Sequence, residues 1–383
     1  MKRKVLFCAT VDYHFSAFHL PYLKWFKEQG WDVHVAASGN MELPYVDKKF
    51  NLPIQRSPIH RKNIEAYKQL KDIINQNDYQ LIHCHTPMGG VIARLAARFT
   101  RKKGTKVIYT AHGFHFCKGA PLPNWIVYYP FERILSYFTD CLITINEEDY
   151  NLAKTHQFGA KQIEHIHGVG VDTERYSPVL EFHKEVLRAE YRFDNDAFLM
   201  FYAAEFNVNK NQQLLIEALS IAKESIPKTK LLLAGEGVLL EECKKFAKLL
   251  GVEHMVEFLG FRKDIESLLK ISDIVVASSK REGLPVNIME AMACGLPIIA
   301  VQNRGHCELI KQNRNGWIVS DEPVKMAERM IQLAKSQELQ KEMGEQSRKI
   351  ILDTFSLNRV LEEKKVLYVK VINDMEEVKW AVH

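Results

Sequence analysis

Two glutamates eight residues apart, Glu282 and Glu290, stand in the segment Ser278-Ser-Lys-Arg-Glu-Gly-Leu-Pro-Val-Asn-Ile-Met-Glu-Ala-Met-Ala-Cys-Gly295. Pro285 suits the first position of a helix and Gly295 the position just past its end, so the spacing predicts a helix of about ten residues. The amides near Val286, Asn287 and Ile288 would form its amino-terminal end, which attracts anions through unpaired N–H groups and the helix dipole. Asn287 and Glu290 share a helix face at i, i+3, while Glu282 lies in the loop before the helix. One carboxylate then reaches a ligand beyond a bound phosphate, and the other grips hydroxyls on the opposite side.

Histidines mark the first half, where 11 of the 15 precede residue 171. His112 follows an apolar run and precedes Gly113, which places it at the carboxyl end of a strand. A histidine there is suited to orienting a ligand through hydrogen bonds. His83 and His85 alternate along one strand and share a face; with His112 and His115 they imitate a metal cluster. Separate histidines bonding loops and backbone are the simpler reading, and no metal is expected.

The elements that position these groups are legible from hydropathy. Short apolar runs at 5–9, 33–37, 81–85, 107–110 and 141–145, and again at 198–203, 231–234, 256–259, 274–277 and 297–301, alternate with longer helix-period stretches. The runs are continuously apolar, as strands covered on both faces require. The pattern predicts an α/β chain of two Rossmann-like doubly wound domains, 1–172 and 173–359, joined by the Gly- and Pro-containing stretch 167–178. A last helix at about 360–383 is expected to pack back on the first domain. Ligands of such sheets bind beyond the carboxyl ends of the strands, so the loops there are expected to line one cleft between the two domains.

Composition bounds the alternatives. With 46% hydrophobic and 26% charged residues in a chain of 383, disorder, collagen and long coiled coil are excluded. The net charge of +5 gives no case for nucleic acid, yet it conceals a split. Residues 1–170 carry 22 basic against 14 acidic side chains, +8, and the remainder 30 against 33, −3. Seven cysteines without a C-x-x-C pair suggest a reduced cytoplasm. The apolar run after Met1-Lys-Arg-Lys4 is short and interrupted by Asp12 and His14, so it reads as a buried strand and not as a signal peptide. No run approaches the length of a membrane span.

The glutamate pair with its glycine loop and proline-started helix resembles the E-x7-E element of retaining glycosyltransferases of family 4, which have the GT-B fold. The likeness continues through Lys210, Gly235-Glu-Gly237, Gly260-Phe-Arg262, Gly305-His-Cys-Glu308 and Asn315-Gly316. Finer similarity, in Cys8-Ala-Thr-Val-Asp-Tyr-His14, His83-Cys-His-Thr-Pro87, Tyr109-Thr-Ala-His-Gly-Phe-His-Phe-Cys-Lys-Gly119 and Glu205-Phe-Asn-Val-Asn-Lys-Asn-Gln212, is to the EpsD-type transferases of bacterial exopolysaccharide synthesis. The resemblance implies a nucleotide-sugar donor, favouring UDP and more weakly an N-acetylhexosamine. It gives Glu290 the ribose hydroxyls, Glu282 the donor sugar, and Lys210 with the backbone of Gly283, Leu284, Pro285, Val286, Asn287 and Ile288 the leaving diphosphate. Phe261 and Arg262 would lie beside the base, and His112 near the reacting carbon.

This chain departs from the family where an arginine is usual, having Ala204-Glu205. A carboxylate about 4 Å from phosphate costs several kcal/mol even at an effective dielectric near 20. Glu205 is therefore expected to face a sugar hydroxyl or a cation such as Lys280, Arg281 or Arg304, with a capping role equally open. No Asp-x-Asp stands at a strand end to hold a divalent ion on the diphosphate, so metal-independent transfer is expected. The aromatic loop with Tyr13, His14 and Phe15 is expected to shape the acceptor site, although a helix start packing Phe15 and Phe18 into the core also accounts for it.

A basic ridge, Arg94, Arg98 and Arg101-Lys-Lys103, precedes the aromatics Trp125, Tyr128, Tyr129, Phe131, Tyr137 and Phe138. Together they favour peripheral contact with an anionic membrane, which fits an acceptor saccharide carried on polyprenyl diphosphate at the cytoplasmic face. Other polysaccharide-assembly enzymes are possible partners. Two rival readings remain: a non-catalytic GT-B subunit of an assembly complex, and a GT-B nucleotide-sugar epimerase.

Overall fold

The computed structural model describes residues 2–380, with side chains through Asp374. The chain forms two compact units, one running up to Val169 and resuming at Val360, the other Gly170–Arg359. Among the described residues the first unit holds β1 (Lys4–Val11), β2 (Asp32–Ser38), β3 (Lys48–Asn51), β4 (Leu81–His85), β5 (Lys106–Ala111), β6 (Cys141–Thr144) and β7 (Gln162–His165). They form one sheet in the order β3-β2-β1-β4-β5-β6-β7, parallel at every pairing. The second unit holds β8 (Phe198–Ala203), β9 (Thr229–Ala234), β10 (Val256–Gly260), β11 (Ile274–Ala277), β12 (Ile298–Val301) and β13 (Gly316–Val319), in the parallel order β10-β9-β8-β11-β12-β13. Both sheets are Rossmann-like, and each reverses its strand order once, between β1 and β4 and between β8 and β11.

The alternation of side chains along continuously apolar strands builds two cores on the first sheet. Leu6, Cys8, Ile82, Cys84, Val107 and Tyr109 face one layer, while Val5, Phe7, Ala9, Leu81, Ile108 and Cys141 face the other. The second layer is completed by the final helix, Leu357–Trp380. Its Val360, Leu367, Tyr368, Val371 and Ile372 recur at helical spacing and are buried against Phe7, Tyr22 and Phe26. The Tyr368 ring stacks on Trp25 with centroids 5.7 Å apart. Residues 381–383 of the expected helix lie outside the described residues.

The edge strands β3, β7 and β13 are not among the predicted runs. β3 reads Lys-Lys-Phe-Asn and is half solvated, so it never needs the continuous apolar stretch that marks a central strand. No described helix is long and apolar enough to cross a membrane.

Candidate active site

In the second unit, the loops that follow β8 and β11 lie side by side where the strand order reverses, and they are stitched together. Lys280 N donates to Asn209 O (2.8 Å), Asn209 Nδ2 to Arg281 O (3.0 Å) and Ser278 Oγ to Lys210 O (2.7 Å). Below them the hydroxyls of Tyr202 and Ser279 share a buried hydrogen bond of 2.6 Å, and Asn303 Nδ2 donates to Ser279 O at 2.8 Å. Within this frame the Lys210 ammonium and Glu282 carboxylate form an ion pair, their side chains only 23% and 16% exposed. The helix Arg304–Leu309 presses on the same loop: a Cβ on Gly305 would lie 2.8 Å from Glu282 Cβ and 2.9 Å from Pro285 Cδ. Arg304 Nε donates to Glu282 O at 3.1 Å.

The predicted helix is Val286–Ala293, one residue shorter at each end than its sequence signals suggest, because Pro285 is extended and caps it from outside. Two of the expected phosphate contacts, at Ile288 and Pro285, and the shared ligand face of Asn287 and Glu290 are revised. Ile288 N donates to Asn287 Oδ1 at 3.0 Å, which removes that amide from the anion-binding set. Asn287 Nδ2 donates to Ala203 O at 2.9 Å, so this side chain ties the helix to the end of β8 and is not presented with Glu290 to a ligand. Pro285 has no N–H to offer. Leu284 is buried beneath the loop, and Gly283 and Val286 flank it.

Glu290 lies on the same helix, partly buried. Burial pushes its carboxyl up to about 7, against the opposing pull of a hydrogen bond with Tyr176 and of the Arg175 charge. Phe261 stands 67% exposed after β10. Arg262 is committed to Asp264, with Nε 2.8 Å from Oδ1 and a second guanidinium contact, and Tyr191 donates to the same carboxylate at 2.5 Å. Glu205 accepts from Asn207 Nδ2 at 3.2 Å. No ion pair joins it to Lys280, Arg281 or Arg304 among the described residues, and its one side-chain partner is the Asn207 amide in the same loop. A depression of about 1090 Å³ lined by Lys184, Arg188, Phe198, Asp273 and Pro297 opens at the amino ends of β8, β11 and β12. It is at the wrong end of the sheet for this chemistry.

In the first unit, His112 follows β5 and is partly buried, its Nε2 3.4 Å from His85 Nδ1. Tyr13 is 63% exposed and His14 partly so, but Phe15 is fully buried with its ring 6.4 Å from Phe7. Phe15 is thus a core residue and leaves the expected acceptor set. His115 is exposed and stacked on Tyr128 at 4.7 Å, apart from the other histidines. The histidines that do gather are His14, His19, His85 and His112, with His83 adjoining. Of the four histidines expected to stand separately, His83 and His115 lie outside this group, while His85 and His112 are joined by His14 and His19 from the helical segment after β1. Burial favours the neutral imidazoles: His14 is lowered to about 4, and His19, His85 and His112 are held well below the usual histidine range.

The basic ridge is likewise smaller than its sequence. Arg94 is 1% exposed, bidentate to Glu132 at 2.9 and 3.1 Å and 3.8 Å over the Tyr109 ring. Arg101 turns to Asp140 at 2.8 Å. Arg98, Lys102 and Lys103 keep some exposure. Trp125, Tyr128 and Tyr129 pack against the core, whereas Leu122, Ile126, Val127, Phe131, Ile134 and Tyr137 are between 48% and 70% exposed along the helix Leu122–Ser136 and its end.

Residues 4–146 match the family model described as Glycosyl transferase 4-like, and residues 183–350 the one described as Glycosyl transferases group 1. A Bacillus subtilis (strain 168) protein named "Putative glycosyltransferase EpsD" is 52% identical over 369 residues, which is 96% of this chain and 97% of that protein. The Escherichia coli protein named UDP-Gal:alpha-D-GlcNAc-diphosphoundecaprenol alpha-1,3-galactosyltransferase is 24% identical over 323 residues, covering 81% of this chain and 82% of its own. Among solved structures, Anabaena Alr3699/HepE in complex with UDP and glucose matches with a TM-score of 0.78 at 19% identity, over 96% of this chain and 100% of that one. That likeness fixes the fold as GT-B. Matched in both halves by transferase family models and half-identical over nearly its full length to an EpsD protein, the chain belongs to the GT-B glycosyltransferases and is a hexosyltransferase-type enzyme of the EpsD-like kind.

Proposed function

We propose that the protein moves a sugar from a UDP-sugar, an N-acetylhexosamine ahead of a plain hexose, to a saccharide on polyprenyl diphosphate in exopolysaccharide or capsule synthesis, with retention of configuration. The observation that carries this reading is the Lys210–Glu282 pair where the loops after β8 and β11 meet, with Glu290 on the helix that follows.

Breaking the glycosidic bond leaves negative charge on the nucleotide diphosphate, and preorganised donors placed there stabilise the transition state. Lys210 is the cation for that charge, aided by the amides of Gly283 to Asn287 that are not proline. Lys210 is paired with Glu282, so a diphosphate competing for the ammonium frees the carboxylate for a donor-sugar hydroxyl. Glu290 accepts from the ribose hydroxyls. Phe261 and the backbone around Arg262 lie beside the base, since the guanidinium itself is held by Asp264. Neutral His112 orients the sugar near the reacting carbon, while Tyr13 and His14 meet the acceptor. The acceptor hydroxyl attacks from the face that the diphosphate leaves, and a donor phosphate oxygen takes the proton.

Lys210 and the helix amides take the place of a divalent ion on the diphosphate, so transfer persists in EDTA. The exposed stripe from Leu122 to Tyr137, with Arg98, Lys102 and Lys103, supports peripheral contact at the cytoplasmic face of the membrane. The test is transfer to a short polyprenyl-diphosphate saccharide by wild type, Lys210→Ala and Glu290→Ala; undiminished turnover of both variants overturns the reading.

A further inference from the structure

Four imidazoles converge at the point where strand order reverses in the first unit. His14 and His19 follow β1, His85 ends β4 and His112 follows β5. One ligating nitrogen from each lies within 4.8 Å of the other three. His14 Nε2 and His19 Nε2 are 3.0 Å apart, and the His19 and His85 ring centroids are 4.1 Å apart. A tetrahedral ion with bonds of about 2.0–2.1 Å to nitrogen spaces its ligand atoms about 3.3–3.4 Å apart, so small ring rotations suffice to close on one.

An independent observation points the same way. His85 is wholly buried, yet its Nε2 has no hydrogen-bond partner. His19 is equally enclosed, whereas His14 and His112 keep some exposure, so the set has a closed floor and an accessible mouth. The polar groups adjoining it are His83, bonded to Tyr368 and Thr110, and Lys364, buried with its Nζ 4.5 Å over the Tyr22 ring. No carboxylate belongs to the cluster. Hard ions such as Mg2+ and Ca2+ need anionic oxygen, but neutral imidazoles suit borderline transition ions.

We propose that His14, His19, His85 and His112 form a binding site for a divalent transition ion of the Zn2+ class. The ion is not a cofactor of transfer. It withdraws His112 and His14 from the saccharides, so its occupancy inhibits the enzyme; that consequence rests on the roles proposed above for these two residues, whereas the binding does not.

The experiment uses the full chain, stripped of metal, titrated with Zn2+ against a chromogenic chelator and with Co2+ by its visible ligand-field bands. One ion per chain is expected, with the intense bands of four-coordinate Co2+ and no displacement of Zn2+ by millimolar Mg2+. His14→Gln and His19→Gln weaken binding about 100-fold or more, and His115→Gln keeps the wild-type affinity. Melting curves of the metal-free variants establish that they fold, and partly exposed His14 supplies the decisive variant should His19→Gln fail to. Absence of stoichiometric binding, the weak bands of octahedral Co2+, or undiminished affinity in His14→Gln overturns the proposal. One equivalent of Zn2+ is expected to stop transfer and a chelator to restore it. Binding with undiminished transfer leaves the site standing and overturns the role given to His112.

Discussion

Burial pushes the Glu290 carboxyl up to about 7 from its ordinary 4.5. A raised acid contributes most to folding when protonated, so that stability is full below pH 4.5 and is lost as pH rises through 7. At 1.36 kcal/mol per pH unit the loss approaches about 3 kcal/mol. Glu290→Gln is therefore expected to raise the melting temperature at pH 8 and to leave it nearly unchanged at pH 4. With the role proposed for Glu290, the same variant is expected to bind the donor worse, because ribose hydroxyls prefer the ionised carboxylate. In wild type the donor KM climbs toward tenfold per unit as pH falls below 7, and in Glu290→Gln it stays flat; KM measured across pH 5–9 checks this. The role proposed for Lys210 is on the transition state instead. Lys210→Ala is expected to lose about 10² to 10³ in kcat, the range seen when a single preorganised oxyanion donor is removed.

At the scale of elements, the second unit's site depends on contacts between segments far apart in sequence. Gly305 admits the helix Arg304–Leu309 to within van der Waals contact of Glu282 and Pro285. Gly305→Ala is expected to displace the loop, lowering kcat/KM about tenfold or more while costing about 1–3 kcal/mol in stability, read from activity and thermal melts. Tyr368, 1% exposed in the final helix, joins that helix to Phe26 and Trp25. Tyr368→Ala is expected to destabilise the first unit by about 3–5 kcal/mol in denaturant titration. The sequence made the central strands and the Glu282–Glu290 helix legible, since apolar runs and a Pro-to-Gly frame are local signals. Partners such as Tyr202 with Ser279, Asn209 with Arg281 and Asn303 with Ser279 carry no local signal, because each pair forms only when the loops meet. The same limit explains the misplacement of Phe15 and Arg94: both stand in polar or basic contexts, and only Phe7 and Glu132, from other elements, draw them inside.

For the whole molecule, charge alone points away from the donor site. Residues 1–170 carry +8 and the remainder −3, yet the diphosphate is assigned to the acidic part, which must rely on Lys210 and a helix end. The positive part carries the exposed stripe at Ile126, Phe131 and Ile134. Ile126→Asp with Phe131→Asp is expected to cut binding to vesicles containing anionic lipid at least tenfold with little change in melting temperature, and added salt to weaken wild-type binding. The central claim is tested most directly by incubating the protein in EDTA with UDP-sugars and a short polyprenyl-diphosphate saccharide, and following sugar into the lipid product. Wild type is predicted to form a product with the donor's anomeric configuration retained, and Lys210→Ala and Glu290→Ala to form it at least about 100-fold more slowly at subsaturating donor. Undiminished product from both variants, or consumption of UDP-sugar with no sugar reaching the lipid, would contradict it.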